Sequence, residues 1–203
     1  MNKSAEVRAS APLRHASSSC GHVGQGEVVV TVRPDCQVGM ILGSCVAAVL
    51  WDADTQVGGV NHLLLPPVQT PAQLAMGVQV NLMERLINGV LSAGGRHGHL
   101  QAKVFGGAGM IRGLSDAGRR NAHFVTQFLA DEGITCTAQS LGGHKARRLR
   151  IWPATGRVLQ RTLRDQISDE MESETAAVDF GNTAGVLQGP DADAFRLSGV
   201  ELL

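Results

Sequence analysis

Aromatic side chains are scarce in this chain, which has no tyrosine, five phenylalanines and two tryptophans. Its core must rest on Val, Leu, Ile, Ala and Met, and the stacking platforms that single-stranded nucleic-acid binders use are missing. Net charge is also absent, because eighteen basic and eighteen acidic residues cancel. That removes the general field that draws proteins to nucleic acid or to an anionic membrane. No apolar run approaches the ~20 residues needed to span a bilayer, and the first residues lack the apolar stretch of a signal peptide. The expectation is a cytoplasmic chain with no membrane insertion. The four cysteines, Cys20, Cys36, Cys45 and Cys136, form no CxxC pair. Without export signals a disulfide framework is not expected. Cys20-Gly21-His22 and His97-Gly98-His99 match no common zinc spacing, so no metal site is assigned.

What remains divides unevenly. Residues 1–25 are rich in Ser, Ala and His and read as a disordered extension. Residues 166–203 hold eight acidic residues against one basic, Arg196, with sparse and aperiodic apolar residues. They read as an acidic, mostly disordered tail. Residues 26–165 carry fourteen basic and nine acidic residues and form a single domain long enough to bury a core.

Periodicity within that domain predicts an α+β fold of layered mixed and antiparallel β-sheets flanked by two helices. Glu27–Val32 is a first strand. Thr70-Pro71 marks a helix start, and Leu74, Val78, Leu82, Leu86 and Val90 recur at helical spacing until Gly94-Gly95. Leu100–Phe105 is a strand. A second helix, about Ala117–Ala130, follows Ser115 or Asp116 as cap. Three strands then follow, near Thr135–Leu141, Ala146–Trp152 and Arg157–Leu163. In the middle one of these, Arg148 and Arg150 share a face with Trp152, and Arg147 shares the other with Leu149 and Ile151. That basic face reads either as a solvated surface or as a dock for an acidic partner.

Two apolar runs, Cys45–Trp51 and Val57–Leu65, flank the turn-forming Asp52-Ala53-Asp54-Thr55-Gln56. A hairpin symmetric about Ala53 and Asp54 places Cys45 opposite His62, Ala47 opposite Val60 and Val49 opposite Gly58. A thiol beside an imidazole on one sheet face is the arrangement of a cysteine nucleophile and its base. Such a histidine should raise the thiolate fraction of Cys45. Gly43 lets backbone approach a substrate, and backbone N–H groups beside the cysteine, as at Gly43 and Ser44, are candidate oxyanion donors. Gly106 and Gly107 read both as a tight bend and as a close backbone approach to the same cleft. The competing reading is a buried cysteine and a packed core histidine.

Five segments occur in order: Leu42-Gly43-Ser44-Cys45-Val46, His62-Leu63-Leu64-Leu65-Pro66, Lys103–Met110, Gly118-Arg119-Arg120-Asn121 and Leu141–Arg147. Together they resemble the bacterial chemotaxis CheD family, chemoreceptor glutamine deamidases, over about residues 26–163. The resemblance implies Cys45 as nucleophile, His62 as base, no cofactor, and hydrolysis of protein glutamine to glutamate with release of ammonia. It implies the cytoplasmic domains of methyl-accepting chemoreceptors as substrates and a CheC-type phosphatase as a second partner. The family carries a threonine a few residues before its cysteine. Here Gly39 or a neighbour stands in that place, within Gln37–Leu42. That departure leaves a second reading open, a non-catalytic module of the same fold that docks receptors or the phosphatase.

Overall fold

A computed structural model of the chain describes residues 19–64, 72–109, 115–163 and 200–202. Its strands are β1 (Ser19–His22), β2 (Val28–Thr31), β3 (Gln37–Leu42), β4 (Val46–Asp52), β5 (Val57–Asn61), β6 (Leu100–Gly106), β7 (Thr135–Leu141), β8 (Arg147–Trp152), β9 (Arg157–Thr162) and β10 (Val200–Leu202). Its helices are α1 (Ala72–Ser92) and α2 (Ser115–Asp131). The strands form two five-stranded sheets, ordered β1-β3-β8-β9-β10 and β2-β5-β4-β6-β7. Both are mixed, since β1 runs parallel to β3 and β6 parallel to β7.

The sheets stack face to face and both helices cover the outer face of the second, so the expected α+β layering holds. One core lies between the sheets, built from Met40, Leu42, Ala47, Val49, Trp51, Val60, Phe105, Leu149 and Ile151. The other lies between the second sheet and the helices, built from Val46, Ala48, Leu50, Leu82, Met83, Leu86, Val90, Val125 and Leu129. β4 is central and covered on both faces, so every one of its residues is buried. That is why its sequence is a continuous apolar run and not an alternation. β8 alternates as expected, with Arg147, Leu149 and Ile151 buried and Arg148, Arg150 and Trp152 half-buried. The buried Arg147 guanidinium donates to the carbonyls of Ser140 and Gly142 and so ties β8 to the end of β7.

Four expectations change. The ordered chain begins before residue 26, because β1 pairs with β3, and Val23 is fully buried. Gln37–Leu42, to which the sequence pattern assigns no element, is a strand. Cys20 and Cys36 form a disulfide whose Cα atoms are 5.5 Å apart, which overturns the expectation of free thiols there. The end of the acidic tail is also structured, since β10 pairs with β9 through Val200–Arg161 and Leu202–Leu159. The Thr70-Pro71 helix start, residues 1–18 and residues 164–199 lie outside the described residues. α2 begins at Ser115, slightly before the expected start.

Candidate active site

The β4–β5 hairpin is closed by Asp52 facing Val57, with Val49 facing Val60 and Trp51 facing Gly58. An isolated bridge joins Val46 to Leu63. Val60 therefore faces Val49 and not Ala47, and the expected direct opposition of Cys45 and His62 is corrected to a diagonal one. The cause is the turn. Asp52 belongs to the strand, and its carboxylate accepts the N–H groups of Asp54 at 3.0 Å and Thr55 at 3.3 Å. Gln56 takes a left-handed φ of 54°. The centre of the loop thus moves along the chain and the register moves by an even step. An even slip keeps each side chain on its face, whereas an odd one would have separated the pair. Diagonal neighbours stand about 7–8 Å apart, within reach of long side chains.

Both residues lie in the layer between the sheets. Cys45 belongs to the buried cluster between the sheets, and His62 is 4% exposed. The ladder parts between Val49–Val60 and Val46–Leu63, where Asn61 Oδ1 takes the Ala48 N–H at 3.0 Å. His62 is instead anchored to the start of β2: its N–H reaches Glu27 O at 3.1 Å and its carbonyl receives Gly26 N at 2.8 Å. Its Nδ1 lies 3.0 Å from the Val23 carbonyl. A carbonyl only accepts, so Nδ1 carries the proton and Nε2 presents a lone pair. That Nε2 is buried and, among the described residues, has no hydrogen-bond partner. Val23 is itself held, its N–H donating to Gly39 O at 3.0 Å. Gly39 thus supports, through the Val23 N–H, the residue whose carbonyl orients the ring. Sequence reasoning missed Val23 because it lies in the segment read as disordered.

Burial pushes the Cys45 thiol up to about 11, opposed by its own backbone N–H. Burial pushes His62 below its ordinary value, opposed by the Val23 carbonyl. The resting pair is therefore neutral thiol and neutral imidazole, which corrects the expected rise in thiolate.

The turn before β4 is clamped at three consecutive carbonyls. Gly43 O receives Ala108 N at 2.8 Å, Ser44 O receives Asn121 Nδ2 at 2.9 Å, and Cys45 O receives Gly107 N at 2.8 Å. Gly106 and Gly107 do approach Cys45 closely. A Cβ at Gly106 would stand 2.1 Å from Cys45 O, and one at Gly107 would stand 2.7 Å from Gly118 O. Gly142 N donates to Gly106 O, and Gly109 N to Gly143 O. The described parts of the five segments singled out in the sequence meet at this end of the molecule, while Leu65, Pro66 and Met110 lie outside the described residues. Cys20 is removed as a zinc thiolate by its disulfide. At the other end of the hairpin Asp52, Asp54 and His99 converge. Arg96 already bridges both carboxylates, at 3.0 and 2.6 Å, so that cluster is a closed ion-pair network.

The chain is similar to known proteins over most of its length. Residues 70–162 match the family described as CheD chemotactic sensory transduction. A Caulobacter sp. (strain K31) protein named "Probable chemoreceptor glutamine deamidase CheD" is 45% identical over 160 residues, covering 77% of this chain and 85% of the relative. The Rhizobium meliloti (strain 1021) protein of the same name is 48% identical over 145 residues, covering 70% and 79%. That of Cereibacter sphaeroides (strain ATCC 17029 / ATH 2.4.9) is 44% identical over 145 residues, covering 71% and 73%.

Proposed function

The chain belongs to the CheD family, and from that premise we propose that it deamidates chemoreceptor glutamines, with Cys45 as nucleophile and His62 as general base and acid. The observation that carries this reading is the His62 ring. Nδ1 is locked to Val23 O, while the buried Nε2 has no partner on the hairpin face that also holds Cys45. An unsatisfied buried nitrogen is costly in a structural histidine. It is what a base awaiting a proton requires.

In the reaction His62 Nε2 takes the Cys45 thiol proton as Sγ attacks the glutamine side-chain carbonyl carbon. The oxyanion is met by backbone N–H groups at Ser44 and Cys45. A trans peptide points its N–H away from its C=O. With the Gly43 and Ser44 carbonyls held by Ala108 and Asn121, those two amides face away from the glycine loop and α2. The imidazolium then protonates the leaving amine, ammonia departs, and a γ-glutamyl thioester remains. Water, deprotonated by His62, attacks the thioester, and the products are glutamate and the restored thiol. No step calls for a cofactor. The Val23 carbonyl supplies the ring orientation that the absent threonine left in question, which favours the enzyme over a non-catalytic module.

The substrate surface is the cytoplasmic domain of a methyl-accepting receptor. The half-buried Arg148 and Arg150, with Arg157 stacked 4.4 Å from the Trp152 ring, offer a basic face for acidic protein surfaces, a CheC-type phosphatase included. No helix among the described residues is long and apolar enough to cross a membrane. In a reducing cytoplasm the Cys20–Cys36 pair would stand as a dithiol, leaving β1 held by its pairing with β3 and the packing of Cys20 on the inter-sheet core. The test is mass spectrometry of receptor glutamine peptides, with ammonia release, for the parent and Cys45→Ala. Conversion by the parent alone is expected. Receptor binding without conversion by either protein returns the function to a docking module.

A further inference from the structure

Of the three carbonyls that clamp the turn before β4, two accept from backbone amides and one accepts from a side chain. That side chain is Asn121 on α2, fully buried, with Nδ2 2.9 Å from Ser44 O. Ser44 O can only accept, so the NH2 end of Asn121 must face it. The Oδ1 end must then find a donor, and Gln79 Nε2 on α1 provides one at 2.9 Å. Gln79 is 5% exposed. Two buried amides on the two helices thus form a directional relay that ends on the peptide between Ser44 and Cys45. Turning either amide around would set two oxygens or two NH2 groups against each other. Since that peptide is trans, fixing its C=O toward α2 fixes the Cys45 N–H toward the opposite side.

We propose that Asn121, its direction set by Gln79, is a positioning residue that aims the Cys45 N–H at the oxyanion of the deamidation reaction. The inference rests on Cys45 being the nucleophile. Neither Asn121 nor Gln79 touches the reacting atoms, so the effect should appear in kcat and leave KM unchanged. Removing an oxyanion donor outright costs about 10²–10³ in rate. A donor still present but free to turn away should cost less, about tenfold to a hundredfold.

The experiment compares the parent with Asn121→Ala, Gln79→Glu and Cys45→Ala, measuring kcat per folded protein and KM on a receptor glutamine substrate. Asn121→Ala releases the Ser44 carbonyl. Gln79→Glu leaves the turn untouched but reverses the demand on Asn121, because an ionised carboxylate accepts where the amide donated. Protonation of that buried carboxyl restores a donor. The ratio of its kcat to that of the parent should therefore rise as pH falls, while Cys45 and His62, common to both proteins, cancel in the ratio. The expected result is a kcat loss in both variants at constant KM, with the pH-dependent recovery in Gln79→Glu. A pH-independent ratio, or a loss carried by KM, overturns the proposal. If Asn121→Ala does not fold, Gln79→Glu decides alone. Parental kcat in the helix variants beside an inactive Cys45→Ala overturns this inference only, whereas an active Cys45→Ala overturns the nucleophile reading and this inference with it.

Discussion

The two ends of the β4–β5 hairpin solve opposite problems with buried polar groups. At the turn, Asp52 is fully buried yet accepts from the amides of Asp54, Thr55 and Arg96 and from the Arg96 guanidinium. Those hydrogen bonds, Arg96 first, hold its carboxyl well below the usual range. A pocket of about 340 Å³ opens there, lined by Asp52, Asp54, His99 and Thr135. At the open end, a thiol and an imidazole are buried, both are pushed toward their neutral forms, and Nε2 is left unpaired. Concavity and charge alone would choose the turn as the working end. Satisfaction chooses the other. A network with every group paired rigidifies, and a buried group left unsatisfied carries a cost of about 1–3 kcal/mol, which at His62 the proposed role as base accounts for.

The sharpest way to break this contrast is to remove the base. His62→Ala should lower deamidation by about 10²–10⁴, the usual contribution of general acid–base catalysis, with little change in receptor binding. In the parent, activity should rise on the acid side as His62 loses its proton, at a pH below its ordinary value of ~6.5. It should hold through neutral pH, because the thiol is pushed up to about 11. A bell-shaped profile centred near neutrality would instead indicate a thiolate–imidazolium pair at rest.

The legible parts of the molecule were those written in local pattern. α1, α2 and β6 to β9 follow from helical spacing, alternation and Gly or Pro punctuation. β1 and β3 do not. Ser19–His22 is short, contains Gly21 and lies in a serine-rich stretch, and it becomes a strand only by pairing in parallel with Gln37–Gly39. Gly39 in β3 weakens any strand signal of its own. The Cys45–His62 pairing was legible in face but not in register, because register depends on the role of one side chain. Asp52 reads as a turn residue and acts as the last residue of β4. The carbonyl that orients His62 was illegible for the same reason as β1, since backbone acceptors carry no residue signature.

The next prediction loosens the open end without touching it. The disulfide spans a sequence separation of 16. Replacing both Cys20 and Cys36 by serine should cost about 3 kcal/mol or somewhat less, from the larger freedom of the unfolded chain. Denaturant unfolding measures that loss. Activity should fall only a few-fold, because the Val23 N–H still holds to Gly39 O. Breaking the turn end should do the reverse. Arg96→Ala should lower Tm by a few degrees and leave kcat at the parental value. The depressed carboxyl of Asp52 stabilises the parent fully above the unfolded carboxyl value, near ~3.9, and that stabilisation is lost as pH falls further. With Arg96 gone the depression shrinks, so the acid loss of Tm should be shallower in Arg96→Ala. An equally steep loss would show that Asp52 is held by its backbone donors alone.

The smallest effect is expected from removing the acidic tail. A chain ending at Asp165 loses β10, and with it the three pairings of Val200, Glu201 and Leu202 with Arg161, Gln160 and Leu159. Neither core depends on them. The sheet-to-sheet core draws on β9 through Val158, and the helix-covered core lies on the far side of the second sheet. The shortened chain should therefore unfold cooperatively, with Tm lowered by no more than a few degrees, and both ends of the hairpin should behave as in the full chain. What it exposes is the edge of β9, where an unpaired strand invites association with another chain. A rise in dimer content with concentration, measured by sedimentation, is the expected sign. Loss of cooperative unfolding would instead place part of 166–203 in the core and move the domain boundary beyond Asp165.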